Sequence, residues 1–168
     1  DKFAVQKHDI DETAKIIQTS SADVISMIGV LEHLQNPREV LQAIRDNKKA
    51  RYLFISVPLF SPCVFFEMLF PKVMDRQLTA RHTHLYTDSS LQYMCKEFDF
   101  ERIAEWWFGT DILDLYRTVS VRLSQMNASK AMVKRWQDSM ICMVDELQET
   151  LDKNRQSSEV HLLLKSLN

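Results

Sequence analysis

The sequence predicts an α/β fold built on a parallel sheet, and two observations carry that expectation. Residues 22–30 (Ala-Asp-Val-Ile-Ser-Met-Ile-Gly-Val) and 51–57 (Arg-Tyr-Leu-Phe-Ile-Ser-Val) are β-branched and largely apolar, the composition of strands covered on both faces. Between them Asn36, Pro37 and Glu39 mark the start of a helix, in a capping-box-like arrangement with Asn in place of Ser or Thr. A strand, helix, strand order of this kind belongs to parallel sheets.

The elements follow in order. Phe3, Ala4 and Val5 make a short strand, ended by Lys7, His8 and Asp9. Asp11 caps a brief helix through Ala14, Ile16 and Ile17, which stops at Thr19, Ser20 and Ser21. After the strand at 22–30, the helix opened by Asn36 buries Val40, Leu41 and Ile44. It ends at Asp46–Lys49, where the lysines complement the carboxy-terminal end of its dipole. Pro58 closes the next strand. Pro58, Pro62 and Pro71 then punctuate an apolar stretch read as a short helix or lid. Thr87 caps a helix carrying Leu91, Met94, Cys95 and Phe98; residues 100–109 form a strand ending at Gly109. Helical spacing returns at Ile112, Leu115, Tyr116 and Val119, and a longer helix covers about 129–151. Its apolar residues, Val133, Trp136, Met140, Val144, Leu147 and Leu151, suit either a partner seam or packing on a neighbouring element. A last strand runs over 159–165.

With 168 residues, 45% hydrophobic and 26% charged, the chain can build one core, so 1–168 reads as a single domain. The net charge of −2 and the scattered lysines and arginines exclude a basic nucleic-acid-binding face. Cys63, Cys95 and Cys142 lack the short spacing of a zinc or redox motif and read as free thiols of a cytoplasmic protein. No apolar run is long enough for a bilayer, and no amino-terminal secretion signal is visible. The chain opens on Asp1 instead of methionine, which leads us to expect a trimmed fragment. Its two glycines, Gly29 and Gly109, cannot make a glycine-rich nucleotide loop. There is no G-x-S-x-G elbow.

The run 23–37 contains Asp23, then Val30-Leu31-Glu32-His33-Leu34, then Pro37. It resembles the fourth strand and following loop of class I S-adenosylmethionine-dependent methyltransferases. Two more features fall at the family's distances. Arg81-His82-Thr83-His84-Leu85-Tyr86-Thr87 resembles the segment leading into the last major helix. Phe98-Asp99-Phe100 stands where the family has Gly-Phe before its sixth strand. The resemblance implies an incomplete Rossmann-like methyltransferase sheet, strands three to seven of the family, with a helical insertion at 111–155. It also implies S-adenosylmethionine as the cofactor of the parent protein and a small-molecule methyl acceptor. Asp9 would contact the adenine, with Ile10 beside its ring, while Ile28 and Gly29 would line the methionine part of the cofactor.

Glu32 and His33 stand on the loop at the site mouth, where they either anchor the loop or act directly on ligands. His82 and His84 would lie on the acceptor side, where an imidazole can take a proton from an oxygen or nitrogen nucleophile, or else anchor their own segment. Some relatives bind a metal through E-x-x-E-H; Gly29 stands where the first Glu would be, so no metal site is expected.

The family's first two strands, glycine-rich loop and ribose-binding acid have no match in this sequence. The expectation is therefore a fragment that binds no cofactor and is inactive alone. Without those strands the strand at 22–30 would keep a bare apolar edge, a template for pairing. It would be covered by a homodimer partner, by the relocated 3–5 strand, or not at all, with the long helix as another dimer seam.

Overall fold

The structure is a computed structural model that describes residues 7–73, 75–78 and 82–168. The strand expected at 3–5 lies outside them. A 3-10 turn at Ile10–Glu12 leads into α1 (Thr13–Thr19), β1 (Val24–Ile28), a second 3-10 turn (Leu31–His33), α2 (Pro37–Asp46) and β2 (Tyr52–Pro58). Then come α3 (Pro62–Leu69), α4 (Asp88–Glu97), β3 (Phe100–Phe108), α5 (Asp111–Gln125), α6 (Lys130–Ile141), α7 (Val144–Lys153) and β4 (Glu159–Ser166).

The sheet has the order β1-β2-β4-β3. β1 and β2 are parallel, with Val24 opposite Tyr52 and Ile28 opposite Ser56. β4 enters antiparallel between β2 and β3, pairing Leu162 with Ile55 on one side and with Glu105 on the other. The register of β3 shifts between Arg102 and Ala104, a bulge in that edge strand. In the family's terms these are strands four, five, seven and six; the sheet is α/β as expected, but β4 makes it mixed where the strand and helix order points to parallel strands.

One face of the sheet carries the core. Met27, Leu53, Ile55, Val57, Val160, Leu162, Leu164 and Trp107 meet Ile17 of α1, Val40, Leu41 and Ile44 of α2, and Leu91, Met94 and Cys95 of α4. The other face is only partly covered by the described residues. Phe54, His161, Trp106 and Phe108 form an aromatic run across it, with His161 ring centroids 5.4 Å from Phe54 and 4.6 Å from Phe108. Val24, Ile28 and Trp106 are exposed at 52%, 62% and 62%. Among the described residues, β1 is thus covered on one face only, where its apolar sequence predicts cover on both, because α1, α2 and α4 share a single core cluster.

Local signals were met unevenly. Thr87 caps α4 in a reciprocal box with Ser90: Ser90 N donates to Thr87 Oγ1 at 3.1 Å, and Thr87 N donates to Ser90 Oγ at 2.9 Å. Asn36 stands at the N-cap of α2 with Pro37 in the first turn, but its side chain makes no capping bond. Asp11 falls inside the 3-10 turn; α1 begins two residues later, at Thr13. The helix expected at 129–151 is two helices, α6 and α7, parted at Cys142 and Met143. Both pieces pack on α5, with Trp136 Nε1 donating to Tyr116 O at 3.2 Å and Val144 buried. An unbroken rod would follow the apolar spacing but could not fold back along α5.

Candidate functional site at the carboxyl end of the first strand

A parallel strand delivers its loop to the carboxyl edge of the sheet, where open α/β folds bind ligands. At the end of β1 the backbone turns through Gly29, whose φ of +63° lies in the left-handed region that favours glycine. Gly29 N donates to Ser56 O at 3.3 Å, keeping the turn on the sheet. The chain then tightens into the Leu31–His33 turn. Leu31 is driven fully into the core and takes Glu32 down with it, to 4% exposure.

A distant segment closes over this turn. Thr83 N and Thr83 Oγ1 both donate to Glu32 O, at 2.8 and 2.7 Å, and His84 N donates to the same oxygen at 3.3 Å. Tyr86 OH donates to Leu31 O at 3.4 Å, while Phe60 N donates to Tyr86 O at 2.8 Å. Burial, and after it the Glu32 charge, push the Tyr86 phenol well above its ordinary range, so it stays a donor.

These bonds bring Glu32, His33 and His82 together. His33 Nε2 is 3.8 Å from Glu32 Oε1, and the rings of His33 and His82 are 5.1 Å apart. His82 Nδ1 faces Gln77 O at 3.1 Å. His84 turns to other company: its Nδ1 is 2.9 Å from Thr83 Oγ1, and its ring stacks on Tyr86.

Beside His33 lies an open groove of about 530 Å³, lined among others by Ile10, Asp11, Leu34, Asn36 and Val40. Of the residues expected on the cofactor side, Ile10 thus shares a groove with His33. Asp9 precedes it, its carbonyl accepting from Glu12 N at 3.1 Å. Ile28 and Gly29 are exposed at the strand end.

Sequence reasoning missed a second polar cluster at the same end of the sheet. Asp111, fully buried, accepts Ser61 Oγ–H at 2.6 Å and Ser158 N–H at 2.9 Å. Arg76 bridges Asp114, at 2.6 Å, and Glu159. Burial opposes the Arg76 charge, but these two carboxylates more than offset it and leave the guanidinium above its ordinary value. The cluster ties α3, α5 and β4 together. No periodic pattern announces it, because its members come singly from separate elements.

The chain matches a family model described as a methyltransferase domain over residues 1–105. No curated protein matches it. Among solved structures it is similar to a SAM-dependent methyltransferase from Archaeoglobus fulgidus, with 16% identity and a TM-score of 0.54 over 98% of this chain and 68% of that one. It also resembles a candidate sarcosine dimethylglycine methyltransferase from Galdieria sulphuraria, with 12% identity and a TM-score of 0.45 over 86% and 53% of the two chains. A third is the [4+2]-cyclase SpnF, with 8% identity and a TM-score of 0.45 over 89% and 53%. The chain thus spans about half the length of the last two. No helix among the described residues is long and apolar enough to cross a membrane. The family match covers more than half of the sequence, and the Archaeoglobus likeness shows the same fold; the chain belongs to the methyltransferase domain family, in its class I S-adenosylmethionine-dependent group.

Proposed function

We propose that this polypeptide is the acceptor-side, carboxy-terminal part of a methyltransferase domain acting on a small molecule. The observation that carries the reading is the convergence of Gly29, Glu32, His33 and His82 at the carboxyl end of β1, beside the groove that Ile10 shares with His33. When bound, S-adenosylmethionine supplies an electrophilic methyl group on its sulfonium. The residues present fit one side of that molecule. Gly29 leaves bare backbone at the strand end, and Asp9, Ile10, Ile28 and Glu32 border the cofactor side, while a glycine-rich turn for the other side has no counterpart in a sequence with two glycines. His33, His82 and His84 stand toward the acceptor, where an imidazole takes the proton released by an oxygen or nitrogen nucleophile.

Transfer of a methyl group depends on holding the two reactants in line, so one wall of the site is not enough. Calorimetric titration of S-adenosylhomocysteine tests this. The 168-residue chain is expected to show no saturable heat, and a version extended upstream of Asp1 in its natural gene is expected to bind. Binding by the short chain overturns the claim of incompetence; silence from both overturns the methyltransferase reading.

Among the described residues β1 is an edge strand, which supports a second reading, a methyltransferase-like assembly module that forms homodimers without catalysis. Val24 and Ile28 on that strand are half or more exposed, and an unpaired apolar edge favours pairing with a second chain. Sedimentation separates the two readings: a dimer that binds no cofactor after upstream extension favours assembly.

A further inference from the structure

We propose that Arg76 and Gln77 are positioning residues for His82, and that the helical insertion, through α5, is the anchor from which they act. The role of His82 as proton acceptor rests on the methyl-transfer reading above, while the clamp that holds it stands on this chain alone.

The clamp begins at one guanidinium. Arg76 Nη1 donates to Asp114 Oδ2 at 2.6 Å and to Thr110 Oγ1 at 2.5 Å, the two residues that open α5. Its Nη2 donates to Glu159 Oε1 and, at 3.4 Å, to Ser158 Oγ, where β4 starts. A planar fork of donors serves four acceptors in a way that a lysine ammonium cannot reproduce. The Asp114 side chain is 9% exposed, and its other cation among the described residues, Arg117, stands 3.8 Å away. Removing Arg76 would therefore leave a nearly buried carboxylate short of counter-charge, with Glu159 of the same sign close by.

The next residue passes the restraint on. Gln77 is 2% exposed, and its N donates to Glu67 Oε1 at 2.6 Å while Leu78 N donates to Glu67 Oε2 at 2.9 Å. Both oxygens of one α3 carboxylate thus grip the backbone just beyond Arg76. That grip holds Gln77 O, which lies 3.1 Å from His82 Nδ1. A carbonyl can only accept, so the bond places the proton on Nδ1 and the lone pair on Nε2. A base that takes a proton from a nucleophile must present such a lone pair in a fixed direction. On its other side His82 is followed by Thr83, which is tied to Glu32 O. The ring is therefore held from both flanks, and the flank at Gln77 leads back to the insertion.

The test is nitrogen-15 NMR of the imidazoles, with amide hydrogen exchange, on the 168-residue chain and its Arg76→Ala and Arg76→Lys variants. The parent chain is expected to hold His82 as the Nδ1–H tautomer. Arg76→Ala is expected to mix the tautomers at His82 and to lower protection of the Thr83 and His84 amides at least tenfold. His161 and the α4 amides should not change, added methylguanidinium should restore the His82 signal, and Arg76→Lys should fall between. Should Arg76→Ala not fold, Arg76→Lys decides on the same signals. A parent-like His82 pattern in the folded variant overturns the proposal, and so does an equal loss of protection in α4, which would make Arg76 a support of the whole fold only. Silence toward S-adenosylhomocysteine in the upstream-extended chain removes the methyl-transfer reading but leaves these signals, and the clamp, in place.

Discussion

Gly109 stands so close to the Asp111 carboxylate that a β-carbon built at position 109 would lie 2.4 Å from Asp111 Oδ2 and 2.9 Å from Ser158 N. Gly29, not Gly109, is the glycine with positive φ, so close approach, and not backbone conformation, calls for glycine here. Gly109→Ala should push the carboxylate off Ser158 and cost ~1–3 kcal/mol, the range for overpacking. Asp111→Ala should cost more, about 2–5 kcal/mol, because it leaves two buried donors, Ser61 Oγ–H and Ser158 N–H, without their acceptor at ~1–3 kcal/mol each. Urea unfolding of the two variants checks both values and their order.

Gly29 presents the opposite case. The nearest atom to a β-carbon there is Glu32 Oε1, at 3.7 Å, so space is available and the φ of +63° is the obstacle. Gly29→Ala is expected to destabilise by ~1–2 kcal/mol, and Gly29→Asn by less, since Asn tolerates the left-handed region. Equal losses for the two would show that conformation is not the cause.

Thr87→Ala removes one half of the α4 capping box and is expected to cost ~1 kcal/mol. Because Asp88 at the start of α4 also receives Arg102 of β3 at 2.6 Å, fraying of this end should loosen β3. Hydrogen exchange across Phe100–Phe108 reports it; unchanged protection there would confine the cap's effect to the helix.

Burial pushes the Cys63 thiol above its ordinary value of 9.0, with the Asp111 and Asp114 charges adding to the shift; burial likewise raises Cys95. In the unfolded chain these thiols ionise near the ordinary value, while the folded chain keeps them protonated. Above that value the unfolded state binds fewer protons, so stability falls as pH rises. The contribution is complete below about pH 8.5 and is lost progressively on the alkaline side. The urea midpoint should drop on going from neutral to mildly alkaline buffer, with a shallower slope in Cys95→Ala. A parallel slope in that variant would assign the loss to other groups.

Ile28→Lys places a charge on the open edge strand. If chains associate through β1, the substitution should shift sedimentation toward monomer and leave α4 protection unchanged. An unaltered association constant would move the interface elsewhere, with the α6–α7 face next in line.

Much of this was legible because it is local. Pro37, Pro58 and Thr87 punctuate elements whose limits they help set, and Glu32 and His33 are neighbours on one turn. The proximity of His82 was not legible: it depends on Thr83 reaching back to Glu32 O, a contact between distant segments that no spacing rule encodes. The break at Cys142 and Met143 carries no Gly or Pro, and the apolar spacing runs straight through it, so a periodicity reading joins α6 to α7. The exposure of Val24 and Ile28 on β1 among the described residues escaped for a related reason. A continuous apolar run reports that a strand can be buried on both sides, not that helices are present to do it.

The place of β4 in the sheet has a bearing on timing. β2 and β3 never touch as neighbours; both are held by the strand made of residues 159–166. A ribosome must therefore release residues 159–166 before the middle of the sheet exists, and until then two finished strands wait with open flanks. Loss of residues 159–168 would split the sheet into a parallel pair and a solitary strand.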